Sequence, residues 1–89
     1  MSETILIVDD EPAILTTLSG ILSDEGYEVQ SASSGLEVIP MVQNTPPALV
    51  LLDIWMPDID GISLFKEFVE MGLTSPVIMI SGHGNVETA

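Results

Sequence analysis

The chain has 89 residues, room for one domain whose folding buries somewhat over ~60% of the surface exposed by the unfolded form. Fourteen acidic residues stand against one basic residue, Lys66, for a formal net charge of −13, while 46% of the residues are hydrophobic. This predicts a globular chain that repels phosphate backbones and anionic lipid, which excludes direct nucleic-acid or membrane binding and makes a divalent cation the natural partner.

Cysteine is absent, so a disulfide framework, thiolate catalysis and Cys-type zinc sites are excluded, in keeping with a cytoplasmic setting. Met1-Ser2-Glu3-Thr4 carries no basic region, and the apolar run from Ile5 to Val8 is too short for a signal peptide or a membrane span.

Thr4 to Val8 is apolar on consecutive positions and rich in β-branched side chains, the pattern of a strand covered on both faces. Asp9-Asp10-Glu11 follows at once. Pro12 suits the first turn of a helix, and Ile14, Leu15, Leu18, Ile21 and Leu22 give that helix one apolar face as far as Gly26. Glu28 to Ala32 reads as a second short strand. Ser33-Ser34-Gly35 opens a second helix through Val42, in which Pro40 predicts a kink or an early end near Ile39.

Pro46-Pro47 separates that helix from Ala48-Leu49-Val50-Leu51-Leu52, the clearest buried strand, with Asp53 at its C-terminal end. A third amphipathic helix carries Ile62, Leu64, Phe65, Phe68 and Val69 and closes at Gly72. Val77 to Ile80 is a fourth strand, followed by Ser81-Gly82-His83-Gly84. Strands alternating with helices and joined by right-handed crossovers make a parallel α/β sheet.

In such sheets the chemistry sits beyond the carboxyl ends of the strands, where strand order reverses. Asp9 and Asp10 follow the first strand and Asp53 the third; if those strands are neighbours, the three carboxylates converge. Like charges so placed repel, and a hard divalent ion with oxygen ligands, Mg²⁺ above all, relieves the conflict. A carboxylate beside such a metal can attack phosphorus and become an aspartyl-phosphate. Ser81 can offer a hydrogen bond to a phosphoryl oxygen, and the backbone N–H groups around Gly82 others.

Three blocks now stand out: Ile5-Leu6-Ile7-Val8-Asp9-Asp10-Glu11-Pro12, Leu51-Leu52-Asp53-Ile54-Trp55-Met56-Pro57-Asp58-Ile59-Asp60-Gly61, and Pro76-Val77-Ile78-Met79-Ile80-Ser81-Gly82-His83-Gly84. In that order and at that spacing they resemble the receiver domains of two-component response regulators. The stretch from Ser81 to Ala89 is most similar to receivers of nitrogen-regulation-type transcriptional activators.

The resemblance implies a flavodoxin-like doubly wound sheet of order 2-1-3-4, in which Asp53 accepts a phosphoryl group from a sensor histidine kinase. It implies that Asp10, Asp53 and the backbone carbonyl of Trp55 ligate Mg²⁺, with Asp9 assisting through water, and that Ser81 is the switch hydroxyl. Trp55 and His83 match two variable positions that tune the lifetime of the phosphoryl group. Receivers continue into a fifth strand bearing a Lys and into two further helices, so residues 1–89 read as a single, C-terminally incomplete receiver domain without its output domain. The fourth strand is then an open apolar edge to which a second copy can pair. Lys66, midway along a helix, is no substitute for the missing Lys.

Plainer readings stand beside these. An acid pair after a strand is commonly a solvated loop. Asp58-Ile59-Asp60-Gly61 superficially resembles a calcium loop, but it lacks the ligand spacing and the closing Glu, and Asp60 as a helix N-cap is the better reading. His83 has no partner for zinc, Ser81 can simply end a strand, and Met41, Met56, Met71 and Met79 fill a core. A haloacid-type phosphatase wants a second Asp where Trp55 stands, and no P-loop follows any strand. A pseudo-receiver, an interaction module that keeps the fold without turning over phosphate, is the alternative from a different class.

Overall fold

The computed structural model describes residues 3–80. Strands β1 (Thr4–Val8), β2 (Glu28–Ala32), β3 (Leu49–Asp53) and β4 (Val77–Ile80) alternate with helices α1 (Pro12–Asp24), α2 (Gly35–Asn44) and α3 (Gly61–Glu70). The strands pair in parallel in the order β2-β1-β3-β4, which is the flavodoxin-like order that the resemblance to receiver domains implies.

Side chains alternate across a strand, and the register therefore sorts them onto two faces. Leu6, Val8, Ala32, Val50 and Leu52 share a face and are buried with Val38 and Val42 of α2, Leu64 and Phe68 of α3, and Met56. Met41, Met71 and Met79 pack against this cluster, as core filler should. Ile5 and Ile7 point the other way, are also buried, and meet the face on which α1 contacts β1 and β2.

The two faces are unequally covered. No residue of α1 is buried, and Ile21 is 54% exposed despite its place in the apolar stripe. Further along the sheet on the same face, Ile78, paired with Leu51, is 50% exposed. The apolar face of α3 divides likewise: Leu64 and Phe68 are buried, while Ile62, Phe65 and Val69 face outward.

The early end expected near Ile39 does not occur. The helix α2 runs to Asn44, four residues past Pro40, which lies inside it. The missing N–H would have bonded to the carbonyl of Leu36, an exposed residue in the first turn where water can serve that oxygen, while Val38 and Val42 on either side anchor the helix in the core. At the end of α3, Gly72 adopts φ +80°, and its N–H and that of Leu73 bond to the carbonyls of Val69 and Phe68 at 3.1 and 2.9 Å. This is a Schellman cap, and glycine meets its left-handed requirement without a Cβ clash.

Candidate metal centre

Val8 and Leu52 are paired across β1 and β3, so Asp9 and Asp53, one residue on, come level at the C-terminal edge of the sheet. Both are fully buried, and Asp10 is partly so. One carboxylate oxygen from each of Asp9, Asp10 and Asp53 lies within 4.8 Å of the others. The convergence expected of the three acids is therefore what the sheet produces.

Backbone groups orient two of these carboxylates. The N–H of Glu11 donates to Asp9 Oδ1 at 2.9 Å, and the N–H of Trp55 donates to Asp53 Oδ1 at 3.2 Å. Asp9 Oδ2 is buried and accepts no hydrogen bond. Burial pushes the Asp9 carboxyl above the usual carboxylate range; the Glu11 N–H opposes this, and the negative charges of Asp53, Asp10 and Glu11 add to it. A buried oxygen without a donor, in an all-oxygen set of like charges, fits a hard divalent cation and repels an anion.

The loop after β3 shapes one wall of the site. Its start is tied to β4 by Ile54 N–H to Ile80 O at 3.0 Å, and its neck is closed by Gly61 N–H to Ile54 O at 2.9 Å. A Cβ at Gly61 would come 2.5 Å from the carbonyl oxygen of Asp53, so α3 can begin here only because residue 61 has no side chain. Asp60 caps α3 as expected: its carboxylate accepts from Ser63 N–H at 2.8 Å and Ser63 Oγ at 3.1 Å, and these bonds, the backbone one first, hold its pKa low.

Trp55 follows the acids directly, with its side chain 61% exposed. Lys66 is exposed in the middle of α3. Ser81 and His83 lie outside the described residues. A cavity of about 240 Å³, lined by Val42, Gln43, Pro46, Met71, Gly72 and Leu73, sits by the C-terminal ends of α2 and α3, away from the acids, and holds no titratable group.

Sequence reasoning missed Asp58. Its carboxylate accepts from Ser34 Oγ at 2.5 Å and from Leu36 N–H at 3.0 Å, across more than twenty residues of chain. The Ser34 hydroxyl foremost, with the N–H groups of Leu36, Gly35 and Ile59, holds the Asp58 carboxyl well below the usual range. Nothing local in the sequence signals such a pairing.

The sequence and the fold are similar to those of known proteins. The family described as the response regulator receiver domain matches residues 5–89. The nitrogen assimilation regulatory protein NtrX of Azorhizobium caulinodans is 43% identical over the whole of this chain, which spans 20% of that protein. The crystal structure of the receiver domain of NtrX from Brucella abortus superposes with a TM-score of 0.83 at 45% identity, covering 96% of this chain and 72% of that one. The chemotaxis protein CheY4 of Vibrio cholerae gives a TM-score of 0.84 at 28% identity over 89% of this chain and 68% of that one. Among the described residues no helix is long and apolar enough to cross a membrane. With nearly every residue inside the family match and the acids gathered at the edge of a 2-1-3-4 sheet, the chain belongs to the response regulator receiver domains of two-component signal transduction.

Proposed function

We propose that Asp53 is the phosphoacceptor of this receiver and that Asp10, Asp53 and the Trp55 carbonyl hold Mg²⁺, with Asp9 acting through water. The observation that carries this is the closeness of the three carboxylates, within 4.8 Å, around a buried Asp9 oxygen that no hydrogen bond reaches. Bound there, Mg²⁺ would neutralise the oxygens of the transferring phosphoryl group. The remaining work belongs to the chain. Asp53 attacks in line as its oxygen forms a bond to phosphorus, the donor's P–N bond breaks, and the electron pair leaves with the donor nitrogen. The Trp55 N–H fixes the Asp53 carboxylate in one orientation, and Ser81 supplies the switch hydroxyl.

The donor is a sensor histidine kinase in the cytoplasm, and the signal passes to an output domain of the kind found in nitrogen-regulation activators; the similarity to NtrX supports that reading. Residues 1–89 act as one receiver unit in this scheme. With one basic residue in the chain, DNA is reached only through the output domain.

The test is Trp55 fluorescence titrated with Mg²⁺, then mass spectrometry after incubation with a small phosphoramidate, comparing this chain with Asp53→Asn. Saturable quenching and an adduct of one phosphoryl group lost in Asp53→Asn are expected. A metal response without an adduct would make the chain an interaction module of the pseudo-receiver kind, and no metal response would overturn the acidic site itself.

A further inference from the structure

Helix N-termini leave their first N–H groups without partners inside the helix, and the N-cap side chain ordinarily supplies one. In α2 it does not: Ser34 stands at the N-cap and makes no cap bond with its own side chain. The acceptor comes from the β3–α3 loop instead. Asp58 takes the Leu36 N–H at 3.0 Å, and Ser34 turns its hydroxyl onto the same carboxylate at 2.5 Å. A carboxylate there is also favoured by the dipole of the helix.

The contact continues on both sides of Asp58. Gly35, the first residue of α2, is buried against Ile59 and Met56: a Cβ at this position would overlap Ile59 Cγ2 and lie 3.3 Å from Met56 Cε. Residues 56–59 are thus seated on the N-terminus of α2 by a carboxylate and by a close fit against Gly35. At the other end of the loop the Gly61 to Ile54 bond closes the neck. Trp55 lies between the two fixings.

We propose that Asp58 is a positioning residue: with Ser34 and Gly35 it latches the β3–α3 loop to α2, and the latch holds the Trp55 carbonyl against the acidic cluster. This rests on the reading of Trp55 as a metal ligand given above. It makes the metal affinity of the site depend on a helix that contributes no ligand to it.

The experiment compares this chain with Asp58→Ala, Asp58→Asn, Ser34→Ala and Phe68→Leu, the last being a core change remote from the loop. Two readouts are taken: the Mg²⁺ midpoint from Trp55 fluorescence, and amide hydrogen exchange of Leu36, Trp55, Met56, Asp58 and Ile59 without metal. Loss of an outer-shell partner typically weakens metal binding ~10- to 100-fold. We expect a midpoint raised ~10-fold in Asp58→Ala, a smaller rise in Asp58→Asn, which keeps an acceptor oxygen, and in Ser34→Ala, and none in Phe68→Leu despite its lower stability. Exchange at these amides should quicken most in Asp58→Ala, less in Asp58→Asn and Ser34→Ala, and in Phe68→Leu no more than its general loss of stability brings. An unchanged midpoint in Asp58→Ala, or an equal rise in Phe68→Leu, overturns the latch. Should the unsubstituted chain ignore Mg²⁺, the metal reading falls, and exchange then judges the latch: no acceleration at these amides in Asp58→Ala overturns it too.

Discussion

Gly61 sits so close to Asp53 that a single added methyl would press on the carbonyl of the acid it follows by eight residues: the Cβ would be 2.5 Å from Asp53 O and 2.9 Å from Ile54 Cα. Both neighbours are backbone and cannot swing aside as a side chain would. Gly61→Ala should therefore displace the start of α3 and the end of β3 together. Overpacking of this kind costs about 1–3 kcal/mol, to be read from urea unfolding followed by Trp55 fluorescence, with a weakened Mg²⁺ response as the accompanying sign.

Asp9 should be a liability to the metal-free fold. Its carboxyl is raised above 3.8, the value of a free Asp side chain, first by burial and then by its acidic neighbours. The folded chain therefore binds this proton more tightly than the unfolded chain, so stability falls as pH climbs from 3.8 through the folded pKa, and the penalty is complete above it. Asp9→Asn removes the penalty. Thermal melts without metal should show the variant with the higher Tm at pH 7, at about 4–8 °C per kcal/mol for a domain of this size, and the advantage should vanish below 3.8.

Mg²⁺ should stabilise the chain by mass action, since a ligand at one hundred times its Kd adds about 2.7 kcal/mol when the unfolded state does not bind it. The Tm should rise with Mg²⁺ and return on addition of EDTA. In Asp53→Asn the rise should shrink sharply. A full Mg²⁺ response in that variant would remove Asp53 from the ligand set.

The division of α3 into buried and outward residues makes a contrast available one turn apart or less. Phe68→Ala should cost about 3–5 kcal/mol, the price of truncating an aromatic in a packed core, and leave little folded chain at 37 °C by circular dichroism. Val69→Ser, at a position 60% exposed, should stay within about 0.5 kcal/mol of the parent.

Much of this architecture could be read from local chemistry. The runs at Thr4–Val8 and Val77–Ile80 are strands with the bounds their apolar residues suggest, and β3 is displaced by one residue, ending on Asp53 itself. The site was legible for the same reason: strand-end acids are fixed by the strands that precede them, so Asp9, Asp10 and Asp53 meet once β1 and β3 are adjacent. The end expected at Pro40 is absent because its cost depends on whether the carbonyl it orphans can reach water, which is a property of the folded surface. The stripe on α1 was visible, but its partial burial depends on what packs beside it. Asp58 was invisible because its partners, Ser34 and Leu36, belong to another element and each has an ordinary local role.

The uneven coverage of the sheet bears on how the chain behaves at high concentration. Ile21 and Ile78 expose apolar surface on one side of a molecule whose net charge is −13. Two copies that bring those sides together gain apolar burial but must first overcome a long-range electrostatic barrier. At low ionic strength that barrier acts over tens of ångströms, and at 0.1 M salt over only about 10 Å. Salt and acid should therefore act alike on the preparation, each lowering the colloidal barrier and promoting self-association by opposite molecular routes, one by shielding the carboxylates and the other by discharging them.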